Sequence, residues 1–470
     1  MEATSALASK NVSWPPETTV LYPDDAGFTD ATTRWNAYGS PDFTSVITPS
    51  SEEEVIQVVK IATANKIPFL AMGGRHGYGT TFSKLQDGLA LDLSSLKDVK
   101  IDKASSTVTV GGGAKIRDVV PLVRDAGYQM PSGACSCTGF VGSTLGAGIG
   151  YMSGIFGLVI DALVSVRLVT AKGELVEASE KSNPDLFWGI RGAGANFGIV
   201  TSATYKLSKQ INGGQVFYAD LIFPATFKEQ YFNIVEKFEN RPAELGFSSA
   251  IFWDPASNST VIMGTFIYTG PETPARELLK PFFDLNPPVA RAQQIPFHEI
   301  PLNIMNGLIE AACDTKAGIH SIHTLNVRKF SAPTYIKAFD KIDAFYKKYP
   351  DARASGLILE TFHNGAVSTV PDGATAYPWR DAKGNFMLQM RWPGLDNPLS
   401  EIANNFGLEL RDDFQATSGY PELSAYVNYA WGDETAEQIY GRNKLPRLIA
   451  LKKKWDPNNV FGYSNPIPTN

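Results

Sequence analysis

Three glycine-rich stretches, at residues 73–79, 139–150 and 189–198, constrain this chain more than any other feature. Glycine lets a backbone N–H approach an anion closely because no Cβ intervenes. A simple dinucleotide fingerprint needs a strand, then G-x-G-x-x-G opening a helix, and an acid about 20 residues later. Neither of the two later stretches has that pattern. The sequence therefore indicates a site for an anionic cofactor, and it argues against a simple Rossmann fold.

Strands and helices alternate around the first stretch. Residues 44–72 are predicted to form strand, helix and strand, and a capping box of Ser51 and Glu54 marks the start of the helix. A second unit follows, with a β-branched strand at 106–110 and a helix at 116–126. The tripeptide at 171–173 indicates a tight hairpin. Two strand-and-helix units are therefore predicted within the first 206 residues.

Beyond residue 206 the pattern changes to longer strands that alternate apolar and polar side chains. The clearest of these strands lie at residues 215–223, 247–253 and 261–268. Helices are predicted between them at 274–280, with Thr273 as N-cap, and at 333–349. This arrangement is typical of an antiparallel sheet backed by helices, so the predicted fold class is α+β. A largely helical stretch at 435–455 ends the pattern.

Composition excludes several classes of protein. The 470 residues carry a formal net charge of −6, with a pI of about 5.6, which argues against nucleic-acid binding because that requires a basic face. No segment approaches roughly 18 consecutive apolar residues, so no membrane span is expected. The first ten residues lack the apolar core of a secretory signal. We therefore expect a cytoplasmic protein from the sequence as it stands, or a secreted one if the N-terminus was trimmed.

The cysteines and histidines do not predict a disulfide framework or a metal site. Three cysteines are too few for a framework, and Cys313 is interpreted as a small buried apolar residue. Cys135 and Cys137 lie too close for an easy disulfide and lack a second pair for zinc. His320 and His323 would point to opposite faces of a strand. No metal ligand is predicted.

Several motifs, taken in order, resemble one family. They are Gly73-Gly74-Arg75-His76-Gly77-Tyr78, the glycine-rich stretch after Cys135, residues 183–192 and 196–201, Tyr426-Val427-Asn428-Tyr429, and residues 455–461. Together they are similar to the vanillyl-alcohol-oxidase superfamily, and within it to the fungal branch of the berberine-bridge-enzyme-like oxidoreductases. The resemblance covers residues 40–206 and 425–467 well and the middle of the chain loosely.

The resemblance implies a fold and a cofactor. A PCMH-type FAD-binding domain of two subdomains would comprise residues 1–206 and 425–470, and a substrate-binding domain would comprise 207–424. FAD would lie with its pyrophosphate against the backbone amides of 74–78 and 142–146. The implied cofactor-binding residues are Gly74, Arg75, His76, Gly77, Tyr78, Cys135, Gly139, Gly142, Ser143, Gly146, Gly148, Gly150, Val200, Tyr426 and Asn428.

The resemblance also implies a covalent flavin. His76 would bond to the 8α-methyl group, and in bicovalent members of the family a cysteine also bonds to C6 of the ring. Alignment of the glycines places Cys135 at that second position, although Val141 and Ser143 replace the usual Gly and His. Arg75 likewise replaces a usual glycine. The histidyl bond is expected, and the cysteinyl bond stays open.

Tyr429 corresponds to a tyrosine that lies against the flavin and serves as a candidate general base in the family. A phenol with an ordinary pKa near 10 is a poor base at neutral pH unless a nearby cation lowers its pKa. Alternation along the strand at 385–392 places Gln389 and Arg391 on one face. We therefore expect Arg391 or Gln389 to adjust the pKa of Tyr429. With Tyr429, these two residues are the predicted catalytic residues.

The function implied is that of a flavin-dependent oxidase. Tyr429 would remove a proton from a small secondary metabolite, a hydride would pass to flavin N5, and dioxygen would reoxidise the flavin to give hydrogen peroxide. The outcome would be dehydrogenation or oxidative ring closure. Two alternatives stay open, namely a carbohydrate oxidase acting at an anomeric hydroxyl and a redox-neutral FAD-containing cyclase or isomerase.

Overall fold

The computed structural model describes residues 12–314 and 318–469. The strands are β1 Thr19–Leu21, β2 Phe43–Thr48, β3 Phe69–Met72, β4 Gly88–Asp92, β5 Val99–Asp102, β6 Thr107–Gly111, β7 Tyr128–Gln129, β8 Leu163–Val169, β9 Leu175–Ser179, β10 Ile199–Lys206, β11 Ser208–Lys209, β12 Gln215–Pro224, β13 Leu245–Asp254, β14 Ser259–Tyr268, β15 Val289–Pro296, β16 Ser321–Val327, β17 Gly356–Thr361 and β18 Gly384–Met390.

Helices connect these strands throughout the described chain. The α-helices are Phe28–Thr32, Glu52–Ala64, Ile116–Asp125, Phe140–Gly146, Ser153–Phe156, Val159–Ala162, Pro184–Ala193, Lys228–Lys237, Glu272–Leu278, Lys280–Phe283, Ile300–Asn303, Leu308–Ala311, Ala332–Lys348, Gly365–Thr369, Leu399–Gln415, Ala436–Tyr440 and Leu445–Trp455. The 3₁₀ segments are Thr80–Lys84, Gly194–Asn196, Asn212–Gly214, Ala225–Phe227, Phe238–Asn240, Phe297–Glu299, Ile304–Gly307, Ala312–Asp314, Pro350–Ala352 and Asp372–Ala374. None of the described helices is both long enough and apolar enough to cross a bilayer.

The first glycine-rich stretch follows a small mixed sheet in the order β1-β2-β4-β3, in which β4 pairs in parallel with both β2 and β3. The helix Glu52–Ala64 connects β2 to β3. Ser51 caps it, because its side chain accepts a hydrogen bond from the Glu54 amide. Val55, Val58 and Val59 lie fully buried against the sheet. The predicted strand–helix–strand unit is confirmed, and it delivers the chain from β3 directly into residues 73–79.

A second, antiparallel sheet has the order β5-β6-β10-β8-β9. The helix Ile116–Asp125 packs Val119 and Val123 into the same core as Val108 and Val110 of β6. The hairpin between β8 and β9 turns at Gly173, whose φ of 69° favours glycine. These elements agree with the second predicted unit and its hairpin.

The third sheet is seven-stranded, with the order β15-β12-β14-β13-β17-β18-β16, and every pair in it is antiparallel. Its two faces differ because side chains alternate along each strand. Phe217, Phe247 and Phe386 pack in one core with the helices Lys228–Lys237 and Ala332–Lys348. The opposite face looks toward the glycine-rich stretches. The fold class is therefore α+β, as the sequence predicts.

Two predicted helices differ from the structure by more than one residue at a boundary. The helix predicted from Thr273 begins at Glu272, after Pro271. Pro274 still fits, because the first turn of a helix leaves backbone N–H groups unpaired anyway. The stretch at 435–455 divides into two helices at Gly441, whose φ of 76° lies outside the helical region.

Candidate active site

A cavity of about 380 Å³ lies between the glycine-rich stretches and the seven-stranded sheet. One wall consists of residues 73–79, with parts of 138–149 and 192–200. Residues 426–429 and 463–465 contribute from the end of the chain. The sheet contributes Ser248, Ile358, Glu360 and Met387. The fold thus brings the three glycine-rich stretches together around one cavity.

The structure places most of the predicted site residues on this cavity. Those that line it are Gly74, Arg75, His76, Gly77, Tyr78, Cys135, Gly139, Gly142, Ser143, Gly146, Gly148, Val200, Tyr426, Asn428 and Tyr429. Gly150, Gln389 and Arg391 are not among the lining residues in the described chain. Gly150 is needed for packing instead, because a Cβ there would lie 2.0 Å from the carbonyl oxygen of Ser132.

The glycines allow two stretches to touch backbone to backbone. A Cβ on Gly74 would lie 2.1 Å from the amide nitrogen of Gly139, a separation that no side chain could tolerate. Gly142 differs, because a Cβ added there would meet no described atom within 4 Å although the residue lines the cavity. The space beside Gly142 is therefore open for a ligand that approaches the backbone.

Arg34 is an unbalanced cation on the cavity wall. Its Nη2 donates to the carbonyl oxygen of Gly77 at 2.9 Å, while Nε and Nη1 are buried with no hydrogen-bond partner among the described residues. Burial lowers the pKa of Arg34 to about 10. A buried guanidinium with free donors beside a glycine-rich loop suits an anionic group such as a pyrophosphate. The cavity residues thus fit FAD.

The loop that carries His76 has an unusual backbone. Arg75 adopts a φ of 58°, in the left-handed region that glycine prefers, which accounts for the glycine usual at this position in the resembled family. Arg75 Nη2 pairs with Asp92 Oδ2 at 2.5 Å. The His76 ring stacks on Trp35 with a centroid distance of 4.3 Å. Burial lowers the pKa of His76 to about 4, so the imidazole is neutral and nucleophilic.

The cysteines differ from the sequence interpretation. Cys137 forms a disulfide with Cys313, across a separation of 176 residues, so Cys313 is not simply a small apolar residue. Cys135 keeps a free thiol, and its Sγ lies 3.3 Å from Cys137 Sγ and 3.8 Å from His76 Nε2. Only the three-dimensional fold brings Cys313 to this loop, which is why the sequence alone did not predict the bond.

Tyr429 is paired with an acid rather than with a cation. Its hydroxyl donates to Glu360 Oε1 at 3.1 Å, while Glu360 Oε2 is buried with no hydrogen-bond partner within the described chain. Burial raises the pKa of Glu360 to about 7. Burial, together with the charge of Glu360, raises the pKa of Tyr429 well above its usual value. The expectation that a cation lowers the pKa of Tyr429 is therefore wrong.

Neither Gln389 nor Arg391 forms a hydrogen bond with Tyr429 in the described chain. Gln389 Nε2 contacts His320 Nδ1 at 2.5 Å, and the His320 ring stacks on the face of Trp35 at 3.7 Å. The backbone of Arg391 bonds with the hydroxyl of Ser355. Met387 is the residue of this strand that lines the cavity. The strand ends at Met390, so Arg391 lies beyond it, and Gln389 contacts His320 rather than Tyr429.

The end of the chain is bound to the cysteine loop and its helix. Tyr426 Oη accepts a hydrogen bond from the Gly148 amide at 3.1 Å, and Asn428 Nδ2 donates to the carbonyl oxygen of Ser143 at 2.8 Å. Asn465 Nδ2 donates to the carbonyl oxygen of Val427 at 2.9 Å. The cavity is therefore completed by residues that lie almost 300 positions after the cysteine loop.

Comparisons with known proteins show the family of this chain. A family profile for the FAD binding domain matches residues 43–179, and one described as "Berberine and berberine like" matches residues 425–468. The FAD-linked oxidoreductase srdI of Neurospora crassa is 47% identical over 96% of this chain and 90% of its own length. The chain belongs to the berberine-bridge-enzyme-like FAD-linked oxidoreductases. The FAD-linked oxidoreductase fogF of Aspergillus ruber is 44% identical over 99% of this chain and 94% of that protein.

Solved structures of similar shape support the fold of this FAD-linked oxidoreductase. The Physcomitrella patens BBE-like 1 protein has a TM-score of 0.84 at 23% identity and covers 97% of each chain. A xylooligosaccharide oxidase from Myceliophthora thermophila has a TM-score of 0.83 at 21% identity and covers 99% of each chain. The protein is an FAD-dependent oxidoreductase with the fold of these enzymes.

Sequence reasoning missed Glu360, Arg34 and Trp35. Glu360 had a usable signal, because it is the one charged residue of strand β17 and follows Leu357, Ile358 and Leu359, and a buried acid in such a strand indicates a function. Arg34 and Trp35 lie in an irregular polar segment. No local pattern there distinguishes a cavity residue from a surface one.

Proposed function

We propose that this FAD-linked oxidoreductase oxidises a hydroxyl group on a small apolar metabolite by two electrons, with dioxygen as the final acceptor. One observation carries the proposal: the Glu360–Tyr429 pair lies in a cavity whose neighbouring walls are apolar. Those walls include Ile304, Met305, Ile309, Ile358, Phe362 and Met387. FAD, when bound, accepts the two electrons and passes them to dioxygen, which gives hydrogen peroxide.

Glu360 is the proton acceptor in this proposal. A pKa of about 7 lets its carboxylate accept a proton from a substrate hydroxyl at neutral pH, and Oε2 is free to receive it. Tyr429 stays protonated and holds Oε1 by its hydroxyl, so it orients the acid rather than serving as the base. Ser248 offers a further hydroxyl on the same wall, held by Tyr151 Oη at 2.8 Å.

The substrate class follows from the chemistry of the walls. Apolar side chains stabilise a hydrocarbon or aromatic skeleton, and they cannot replace the many hydrogen bonds that a sugar makes with water. An apolar secondary metabolite with one oxidisable hydroxyl suits this cavity better than an oligosaccharide does. Both dehydrogenation and oxidative ring closure begin with the same loss of a proton and a hydride.

The experiment is flavin reduction without oxygen, with benzyl-type alcohols and phenols in one set and cellobiose and xylobiose in the other. Bleaching of the flavin by the first set, followed by oxygen uptake and peroxide on aeration, supports the proposal. Bleaching by the sugars alone would favour the carbohydrate oxidase. Conversion of a compound without bleaching or oxygen uptake would favour a redox-neutral enzyme. Glu360→Gln should slow bleaching by alcohols by roughly 10²–10⁴-fold.

We also propose that His76 holds the flavin covalently, since its imidazole is neutral, half-buried and stacked on Trp35 at the cavity wall. Acid precipitation should leave the yellow colour in the pellet for the wild type and release it for His76→Ala. Cys135→Ser tests the second bond. An altered flavin spectrum in the denatured Cys135→Ser protein supports a cysteinyl link, and an unchanged spectrum rules it out.

A further inference from the structure

A single row of polar side chains crosses the cavity face of the seven-stranded sheet. Direct cross-strand partners share a face, with Cβ atoms about 4.5–5.5 Å apart. Registers across β12, β14, β13, β17, β18 and β16 place six such residues in line, in the order Asp220, Thr265, Ser248, Glu360, Asn385 and Asn326. All six are buried. A buried polar row of this length requires partners for every group.

Protein groups satisfy the first half of the row. Asp220 accepts hydrogen bonds from the hydroxyls of Thr265 and Tyr218 and from the amide of Asn306. Ser248 pairs with the hydroxyl of Tyr151. Each side chain in this half therefore has a protein partner, and the bond from Asn306 to Asp220 holds the segment after Phe297–Glu299 against the sheet.

The second half of the row is unsatisfied. Glu360 Oε2, Asn385 Oδ1 and both side-chain polar atoms of Asn326 have no hydrogen-bond partner in the described chain. Ser424 adds a fourth residue, because its buried Oγ also lacks a described partner and its carbonyl oxygen accepts from the Asn326 amide at 2.8 Å. Native proteins satisfy such groups with ordered water. Four neighbouring residues thus have buried polar atoms that require a hydrogen-bond partner.

Water suits these groups better than substrate does. Asn385, Asn326 and Ser424 are absent from the described lining of the substrate cavity, whereas Glu360 belongs to it. Ser424 directly follows Leu423, which lines a second cleft at the surface together with Tyr420 and Arg328. The unsatisfied atoms therefore lead from Glu360, behind the substrate cavity, toward a different opening to solvent.

We propose that Asn385, Asn326 and Ser424 bind a chain of ordered waters that carries the proton of Glu360 to this second cleft. The proposal rests on the proposed function, in which Glu360 receives the substrate's hydroxyl proton. The O–H bond of the substrate breaks, the proton moves to Glu360 Oε2, and it then passes to the first water while the last water releases a proton to solvent. No electron moves in this step, and Glu360 returns to its carboxylate without opening the substrate cavity.

A high-resolution crystal structure of the FAD-loaded enzyme tests whether the waters exist. Ordered waters bonded to Glu360 Oε2, Asn385 Oδ1 and the Asn326 amide group support the proposal. If the crystal structure shows no ordered water at these side chains, or shows them hydrogen-bonded directly to one another, the proposal is overturned. This result does not depend on any assay of turnover.

Asn326→Leu tests whether the waters carry the proton, because its side chain fills the space with carbon. Turnover of an alcohol substrate should fall about tenfold, less than the roughly hundredfold or larger loss expected when an acid–base group itself is removed. The solvent deuterium isotope effect on turnover should rise. Asn326→Ser, which keeps a hydroxyl and leaves room for water, should recover most of the rate. Flavin absorbance and Tm of each variant check that it has folded.

The matched control is Thr324→Val, because Thr324 lies two residues earlier on the same strand and face, is equally buried, and bonds only to the carbonyl oxygen of Phe386. It should leave rate and isotope effect unchanged. If Asn326→Leu also behaves like the wild type while Glu360→Gln is inactive, the relay is wrong and the proposed function stands. If Glu360→Gln remains active, the proton source is lost and both proposals fail.

Discussion

In our proposal Glu360 takes the proton-accepting role that the sequence suggested for Tyr429. The sequence suggests a tyrosine base assisted by a cation, yet the structure places a buried acid against the phenol. Because desolvation penalises the charged form, the pKa of the carboxyl rises toward neutrality while the phenol stays protonated. The group able to exchange a proton at physiological pH is therefore the glutamate.

Replacement of Glu360 should remove one limb of the pH–rate profile. The wild-type kcat/KM should rise with pH through about 7, because only the carboxylate accepts a proton. Glu360→Gln should lose roughly 10²–10⁴-fold in rate and the pH dependence of that limb with it. Tyr429→Phe should keep the limb but move its midpoint, because the tyrosine's hydrogen bond lowers the pKa of the acid. An unchanged limb in Glu360→Gln would contradict the assignment.

Glu360 should lower the free energy of unfolding at high pH. Its folded pKa, about 7, lies above the ordinary value of 4.5. The folded state therefore binds more protons between these values, and stability falls as pH rises across that window. The penalty at pH 8 is about 3 kcal/mol, since one pKa unit corresponds to about 1.4 kcal/mol. Glu360→Gln should thus have a higher Tm than the wild type at pH 8 and a similar Tm near pH 4.5. An equal difference at both pH values would contradict this.

At the scale of elements, local signals predicted the regular parts of the fold well. The N-cap at Ser51 and the alternation along β12 to β14 are properties of short segments, and both were predicted from the sequence. The reciprocal half of the predicted capping box is absent, because the Glu54 carboxylate accepts from the Ser50 amide instead of the Ser51 amide. The disulfide between Cys137 and Cys313 and the pairing of Glu360 with Tyr429 depend on the order of strands in a sheet. Side chains that are distant in sequence come into contact there, and no local sequence pattern predicts that contact.

The disulfide fixes the segment around Leu308–Ala311 to the cysteine loop. Cys137→Ser or Cys313→Ser should each lower the free energy of unfolding by about 2–4 kcal/mol, because the open chain gains conformational freedom when unfolded. The double variant should lose no more than either single variant, since both break the same bond. Denaturant unfolding of the three proteins measures this. Additive losses would show that the two cysteines contribute separately.

At the scale of the whole molecule, one face of the seven-stranded sheet lines the cavity and the other face packs against helices. Solved structures with only 21–23% identity keep TM-scores above 0.8, so very different sequences build the same fold. The residues on the cavity face then decide the substrate, because fold alone does not specify chemistry. The family and cofactor could be predicted from the motifs, whereas the acid on β17 required the assembled sheet.

The cofactor should stabilise the whole molecule, because the cavity walls come from both ends of the chain. His76→Ala should bind FAD reversibly, so its Tm should rise with added FAD. Saturation at a hundred times Kd contributes about 2.7 kcal/mol. The wild type, for which we propose a covalent flavin, should show no such dependence. If the Tm of His76→Ala did not change with added FAD, the placement of the cofactor in this cavity would be contradicted.

Residues 426–465 complete the cavity, and this affects when FAD can bind during synthesis of the chain. Tyr426, Asn428 and Asn465 reach the glycine-rich loops only after the ribosome has made almost the entire polypeptide. A nascent chain that stops before them has the loops but lacks the wall that encloses the flavin. Cofactor loading is therefore a late event in the life of each molecule, and a messenger RNA truncated near its end would yield a protein without colour.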